Sequence, residues 1–197
     1  AQESRGLGDV YKRQINGGAK GKESMIRSSV LINLIHDAVK NSLIEAGISP
    51  ANVIPNLGST KPELKLAGFF KQKNQDVCII PSNVQQVPTL INWGAMAFEN
   101  KKDKYGYEYS TNTLVINIRS QMSSLAKNTD TLFERTIAEA QNLHMRYPNI
   151  VLGEVYLIPT HEYDDDLVKR NIVGFKKKHI NIEKYISFFN SINNRNI

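Results

Sequence analysis

The chain has 197 residues, of which 41% are hydrophobic and 22% charged, the proportions of a globular protein with a real core. Twenty-five basic against 19 acidic residues leave a net charge of +6, which suits a polyanionic partner. A lone cysteine, Cys78, excludes an intrachain disulfide and a cysteine-based zinc site and points to a reducing, cytoplasmic compartment. No apolar run reaches the roughly 20 residues of a membrane span, so no membrane association is expected.

Ser4–Gln14 (SRGLGDVYKRQ) resembles a translated sequencing-library adaptor, and residues 1–14 are accordingly set aside as non-native. Whether the remainder is a whole gene product or a fragment stays open. Setting them aside leaves 22 basic against 17 acidic residues, a net +5. Residues 15–22, rich in glycine and lysine, read as a flexible lead-in to a single domain over 23–197. From Ser24 to Glu45, apolar residues recur at three and four, the period of an amphipathic helix, with Gly47 as its stop. Glu63–Phe70 alternates and Asp76–Ile80 (DVCII) opens an unbroken apolar run, which together predict a β-hairpin. Residues 82–112 show little periodicity and read as a long connection, a common place for function.

Thr113–Arg119 (TLVINIR) alternates as a strand, with Val115, Asn117 and Arg119 on one face. Ser120–Asn128 reads as a polar loop. Thr131–Arg146 is predicted as a helix, with Thr131 and Glu134 as a capping box and Pro148 as its end. Ile150–Ile158 is a further strand, His161–Asp166 an acidic loop, and Asn181–Asn193 a last amphipathic helix. The order predicts an α/β fold: a mixed four-stranded sheet, formed by the strands at 63–70, 76–80, 113–119 and 150–158, flanked by helices.

No phosphate loop, dinucleotide fingerprint, nucleophile elbow or paired-histidine zinc motif is present. His36, His144, His161 and His179 are scattered and read as structural or solvated. The carboxylates are the chemical candidates. Asp76, at the mouth of an apolar strand, either meets water in a turn or holds a cation such as Mg²⁺, which prefers oxygen ligands. On the Thr131–Arg146 helix, Leu132, Phe133, Ile137, Ala140, Leu143 and His144 form one apolar arc. Glu134 projects opposite it into water. Glu139 lies at its edge, where a carboxylate needs a metal or a basic partner, and Arg135 four residues back is one. After Asn117 and Arg119, the run RSQMSSLAKN carries side chains that grip phosphates and read base edges: Ser120, Gln121, Ser123, Ser124, Lys127 and Asn128. Glu99 and Lys101 read as a solvated charge run, and Glu154 is the fallback carboxylate.

The order helix, hairpin with Asp76 on its second strand, third strand, helix and fourth strand resembles the core of the PD-(D/E)xK nucleases. The stretch from INIRSQ to VYLIP is similar to type II restriction endonucleases, and the resemblance spans roughly residues 60–160. It implies Asp76 as a Mg²⁺ ligand. The acidic-x-lysine motif of the third strand is absent, since that strand reads NIR. In one branch of the family the second carboxylate sits on the following helix, and Glu139-Ala140-Gln141-Asn142-Leu143 resembles that segment. The resemblance therefore implies a Mg²⁺-dependent, site-specific endonuclease for double-stranded DNA, with Asp76 and Glu139 on the metal and Arg119 near the scissile phosphate. A homodimer and a companion DNA methyltransferase follow by analogy. Two other readings stand beside it: a catalytically inactive DNA-binding module on the same fold, and an interaction protein whose charge is incidental.

Overall fold

The computed structural model describes residues 2–193. Among the described residues two compact units emerge, one from residues 2–34, Arg119–Asp130 and Tyr156–Ser191, the other from Ile35–Ile118, Thr131–Val155 and residues 192–193. The adaptor-like segment and the lead-in both lie within helix α1 (Gln2–Arg27), which kinks at Gly18. The predicted helix from Ser24 is broken at Ser28–Ser29. There the Ser28 hydroxyl donates to Met25 O at 2.7 Å, and α2 begins afresh as Val30–Glu45. Gly47 closes α2 with φ of +97°, as a left-handed stop requires.

A four-stranded sheet runs in the order β1-β4-β7-β8, from Val53–Ile54, Val77–Ile79, Leu114–Ser120 and Val151–Leu157, with β1, β4 and most of β7 and β8 in the second unit. β4 pairs antiparallel with both β1 and β7. Between β7 and β8 the contacts advance together, Asn117 with Glu154 and Gln121 with Leu157, which makes the sheet mixed. Leu143 from helix α4 (Leu125–His144) packs with Cys78, Val115 and Tyr147 in its main core, and helices flank the sheet.

The predicted place of the strand at 63–70 in the main sheet is corrected. Leu64–Ala67 (β2) leaves the main sheet and pairs antiparallel with Gln72–Gln75 (β3). The polar QKNQ run reads as a turn but forms a strand, because β3 can alternate a buried Gln75 with an exposed Asn74. The vacated edge belongs to Val53–Ile54, too short to show any period. The 82–112 connection contains a small hairpin, β5 (Thr89–Leu90) with β6 (Lys102–Asp103), and a short helix, α3 (Tyr107–Thr111).

Helix α4 also begins six residues earlier than its sequence predicts. Thr131 is therefore interior and caps nothing. The free amide of Leu125 is satisfied by the Glu162 carboxylate at 2.7 Å, a cap 37 residues away that no local motif can announce. Thr136 is buried in place of the exposed Ile137. The acidic loop behaves as read: Asp164 caps α5 (Asp165–Lys169) by accepting from the amides of Asp166 and Leu167. The last helix, α6, spans Ile182–Ile192. No helix among the described residues is long and apolar enough to cross a membrane.

One side chain ties the β2–β3 turn to α4. Asn142 Oδ1 accepts from the amides of Phe70 and Lys71, and its Nδ2 donates to Lys71 O, at 2.8–3.1 Å. Asn142 O also accepts from Phe69 N at 2.6 Å. A Cβ on Gly68 would stand 2.3 Å from the Asn142 amide, so the turn fits only with glycine there. Asn142→Ala strands the amides of Phe70 and Lys71, while Lys71 O keeps the Gly68 amide, and should cost about 1–3 kcal/mol in urea denaturation, against almost nothing for the exposed Glu134→Gln.

Candidate active site

The chain runs almost without a break from β3 into β4, and Asp76 is the bend where it passes from the small sheet to the large one. Its Oδ2 accepts from the Ile118 amide of β7 at 2.8 Å. Extending the register of Val77 with Ile116 by one step sets Asp76 opposite Asn117. Asn117 in turn donates from Nδ2 to Glu154 Oε1 on β8 at 2.7 Å. Asp76, Asn117 and Glu154 thus form a polar row across three neighbouring strands. Asn117 shares the face of Val115, and Glu154 that of Leu152, so the row continues the face whose apolar part forms the main core.

Helix α4 adds Glu139, one turn before Leu143 of that core. Its partner is Lys73 of β3 at 2.5 Å, in place of the expected Arg135. The Lys73 side chain is 31% exposed and that of Glu139 12%, far less than the 75% and 80% of the surface pair Lys169–Asp166. Asn117 is 2% exposed, and its Oδ1 is buried with no hydrogen-bond partner. An acceptor left open at such depth is costly and calls for a donor or a cation.

His36 of α2 belongs to the same neighbourhood. It is buried, its Nδ1 has no hydrogen-bond partner, and burial holds the imidazole below its ordinary pKa while the charge of Asp76 pulls the other way. Cys78, two residues from Asp76, is a buried thiol pushed far up by burial and by the Asp76 charge, so it has no nucleophilic role.

The residues expected near Asp76 divide between the two units. Asp76, Glu139, Asn117 and Glu154 belong to the second. Arg119 belongs to the first, where its guanidinium lies 5.8 Å from the Tyr156 ring centre. The DNA-contact candidates also belong to the first unit. Ser120 ends β7, Gln121 donates its side-chain amide to Ser123 O, and Ser124 takes a left-handed φ of +55°. Lys127 and Asn128 are not loop residues but stand on the first turn of α4, with Lys127 exposed. Glu134 is exposed, as expected, and Glu99 pairs with Lys101 at the surface.

The donor set of the row fits a hard cation: carboxylate oxygens of Asp76 and Glu154, with the open amide oxygen of Asn117 between them. Among the described residues no three His, Cys, Asp or Glu side chains gather as a metal-holding group. An ion there would therefore draw its remaining ligands from water and substrate, as Mg²⁺ commonly does. Comparison of the chain with protein-family models, curated proteins and solved structures finds no match to any of them.

Sequence patterns announced Asp76 and Glu139, but not Lys73, which sits in a polar run without a motif. His36 looked isolated because its neighbours are distant in sequence. A double-mutant cycle on Lys73→Ala and Glu139→Gln, read by chemical denaturation, should give a coupling of about 1 kcal/mol for this half-buried pair. The same cycle on Lys169 and Asp166 should give no measurable coupling.

Proposed function

We propose that the second unit is a Mg²⁺-dependent nuclease centre and that the chain, or the longer protein it comes from, cleaves double-stranded DNA at a specific sequence in the manner of type II restriction endonucleases. The observation that carries this reading is the polar row of Asp76, Asn117 and Glu154 across three neighbouring strands. Asp76, Glu154 and the Asn117 oxygen would hold the ion, and Glu139 would act through the Lys73 ammonium it holds. The ion, when bound, supplies Lewis acidity and neutralises charge on the phosphate.

The remaining roles belong to the chain. Lys73 is the cation that the third strand lacks. Its ammonium, held by Glu139, can approach a phosphate as a strongly hydrated point charge. The Ile118 amide fixes one Asp76 oxygen and so orients the other. His36 is a neutral, buried wall near Asp76 that excludes water and raises the strength of nearby charges. Lys127 and the residues around it are proposed phosphate contacts. A homodimer, a companion methyltransferase and a cytoplasmic setting follow from the same reading.

The test is incubation with mixed plasmid and phage DNA and Mg²⁺, with discrete bands expected and EDTA abolishing them. Asp76→Asn and Glu139→Gln should each lower cleavage by at least about 100-fold with DNA binding kept, while Glu134→Gln stays active. Lys127→Ala should weaken binding to all sequences and reduce the salt slope by about one ion. A second reading, an inactive DNA-binding module, is favoured by one observation: Lys73 already neutralises Glu139. It predicts DNA binding without nicking under any divalent ion.

A further inference from the structure

Arg146 lies just beyond the end of α4, one turn after Asn142. Its guanidinium carbon stands 3.5 Å from the centre of the Trp93 ring, 5.0 Å from Tyr107 and 5.5 Å from Tyr147. The planar cation is therefore laid on one aromatic face and flanked by two more. The cradle is itself anchored. The Trp93 indole N–H donates to Gly68 O at 3.5 Å, and a Cβ on Gly94 would stand 2.4 Å from Phe69 O. Trp93–Gly94 is thus pressed against the same β2–β3 turn that Asn142 holds.

What the cradle does not provide is an acceptor. Arg146 forms no ion pair among the described residues, and its Nε is buried with no hydrogen-bond partner. A guanidinium carries five donors in a fixed fork, and stacking uses none of them. The adjacent carboxylate is not available: Asp103 is 1% exposed and accepts from the amides of Tyr105 and Gly106 and from the Tyr147 hydroxyl. Lys71 of the clamped turn and Lys102 and Lys104 about Asp103 are exposed, while Glu99 is paired with Lys101.

We propose that Arg146 is an anion-binding residue whose stacked guanidinium takes phosphate oxygens of a polynucleotide backbone, positioning DNA on the second unit. The polynucleotide, as the source of the phosphate, rests on the nuclease reading above; the anion site rests on the cradle alone. The function it serves is register rather than chemistry, since a phosphate contact fixes orientation without reading sequence.

Trp93 is the sole tryptophan, so its emission reports on this site directly. The full chain is titrated in EDTA with inorganic phosphate and, separately, with a short DNA duplex. The duplex should change Trp93 emission, with added salt reversing the change. Arg146→Ala should weaken duplex binding about tenfold and lower the salt slope by about one ion. Arg146→Lys should restore the slope but only part of the affinity, because it keeps the charge and loses the planar fork. Duplex binding with silent Trp93 emission, or an unchanged affinity and slope in Arg146→Ala, overturns the proposal. A response to phosphate but none to duplex overturns the polynucleotide assignment. The wild-type titration decides the matter even if a variant fails to fold. Loss of the nuclease reading is seen separately, as absence of plasmid cleavage in Mg²⁺ with the Trp93 response intact.

Discussion

Asn142 is buried within α4, and its side chain satisfies three backbone groups of the turn between β2 and β3. A helix and a small hairpin have no intrinsic reason to keep one relative position, because a two-stranded hairpin is marginal alone. The amide supplies that reason, since the part-buried amides of Phe70 and Lys71 would otherwise lose their acceptor. With the turn fixed, β3 presents Lys73 to Glu139 on the same helix, and the chain enters β4 with Asp76 at the bend. The turn also seats Trp93, on which Arg146 lies. Lys73 and Arg146 are thus both placed through the one turn that Asn142 clamps.

The bend at Asp76 solves a packing problem and creates a chemical one. β3 must pair with β2 and β4 with β1 and β7, so the strand cannot continue straight through both. An aspartate at the switch accepts the Ile118 amide and so fills the gap in hydrogen bonding. It also brings a negative charge near the buried His36 and Cys78: burial lowers the imidazole pKa with that charge opposing, and raises the thiol pKa with that charge adding. For the thiol, burial adds to the effect and removes its reactivity; for the imidazole, burial outweighs it and leaves the ring neutral.

The first unit is built by different means. Glu162 accepts the Leu125 amide at the start of α4 and pairs with Lys176 at 3.2 Å. Tyr163 stacks on Phe175, and Lys22 lies 3.8 Å from the Tyr163 ring centre. Burial lowers the Lys22 pKa, with the charge of Asp165 acting against it. Val10, Met25, Leu31 and Met122 close the apolar cluster. Capping, cation–aromatic contact and apolar burial thus hold the residues that flank Lys127.

Periodicity and apolar runs were enough to place β7, β8, α6 and the C-terminal part of α2, since those patterns are written locally. Asp76 and Glu139 were legible for the same reason: an aspartate at the mouth of an apolar run, and a glutamate at the edge of a helical arc. Pairing was not legible. Which strand takes the sheet edge turned on Val53–Ile54, too short to carry a period, and on a polar QKNQ segment that is a strand only because β2 lies beside it. The start of α4 turned on Glu162, 37 residues away. Lys73, Asn117, Glu154, His36 and the cradle of Arg146 draw their meaning from neighbours 30 to 50 residues or more distant in the chain. Local sequence constrains backbone conformation and the identity of each charge; only long-range packing decides which charges meet and which stay buried without a partner.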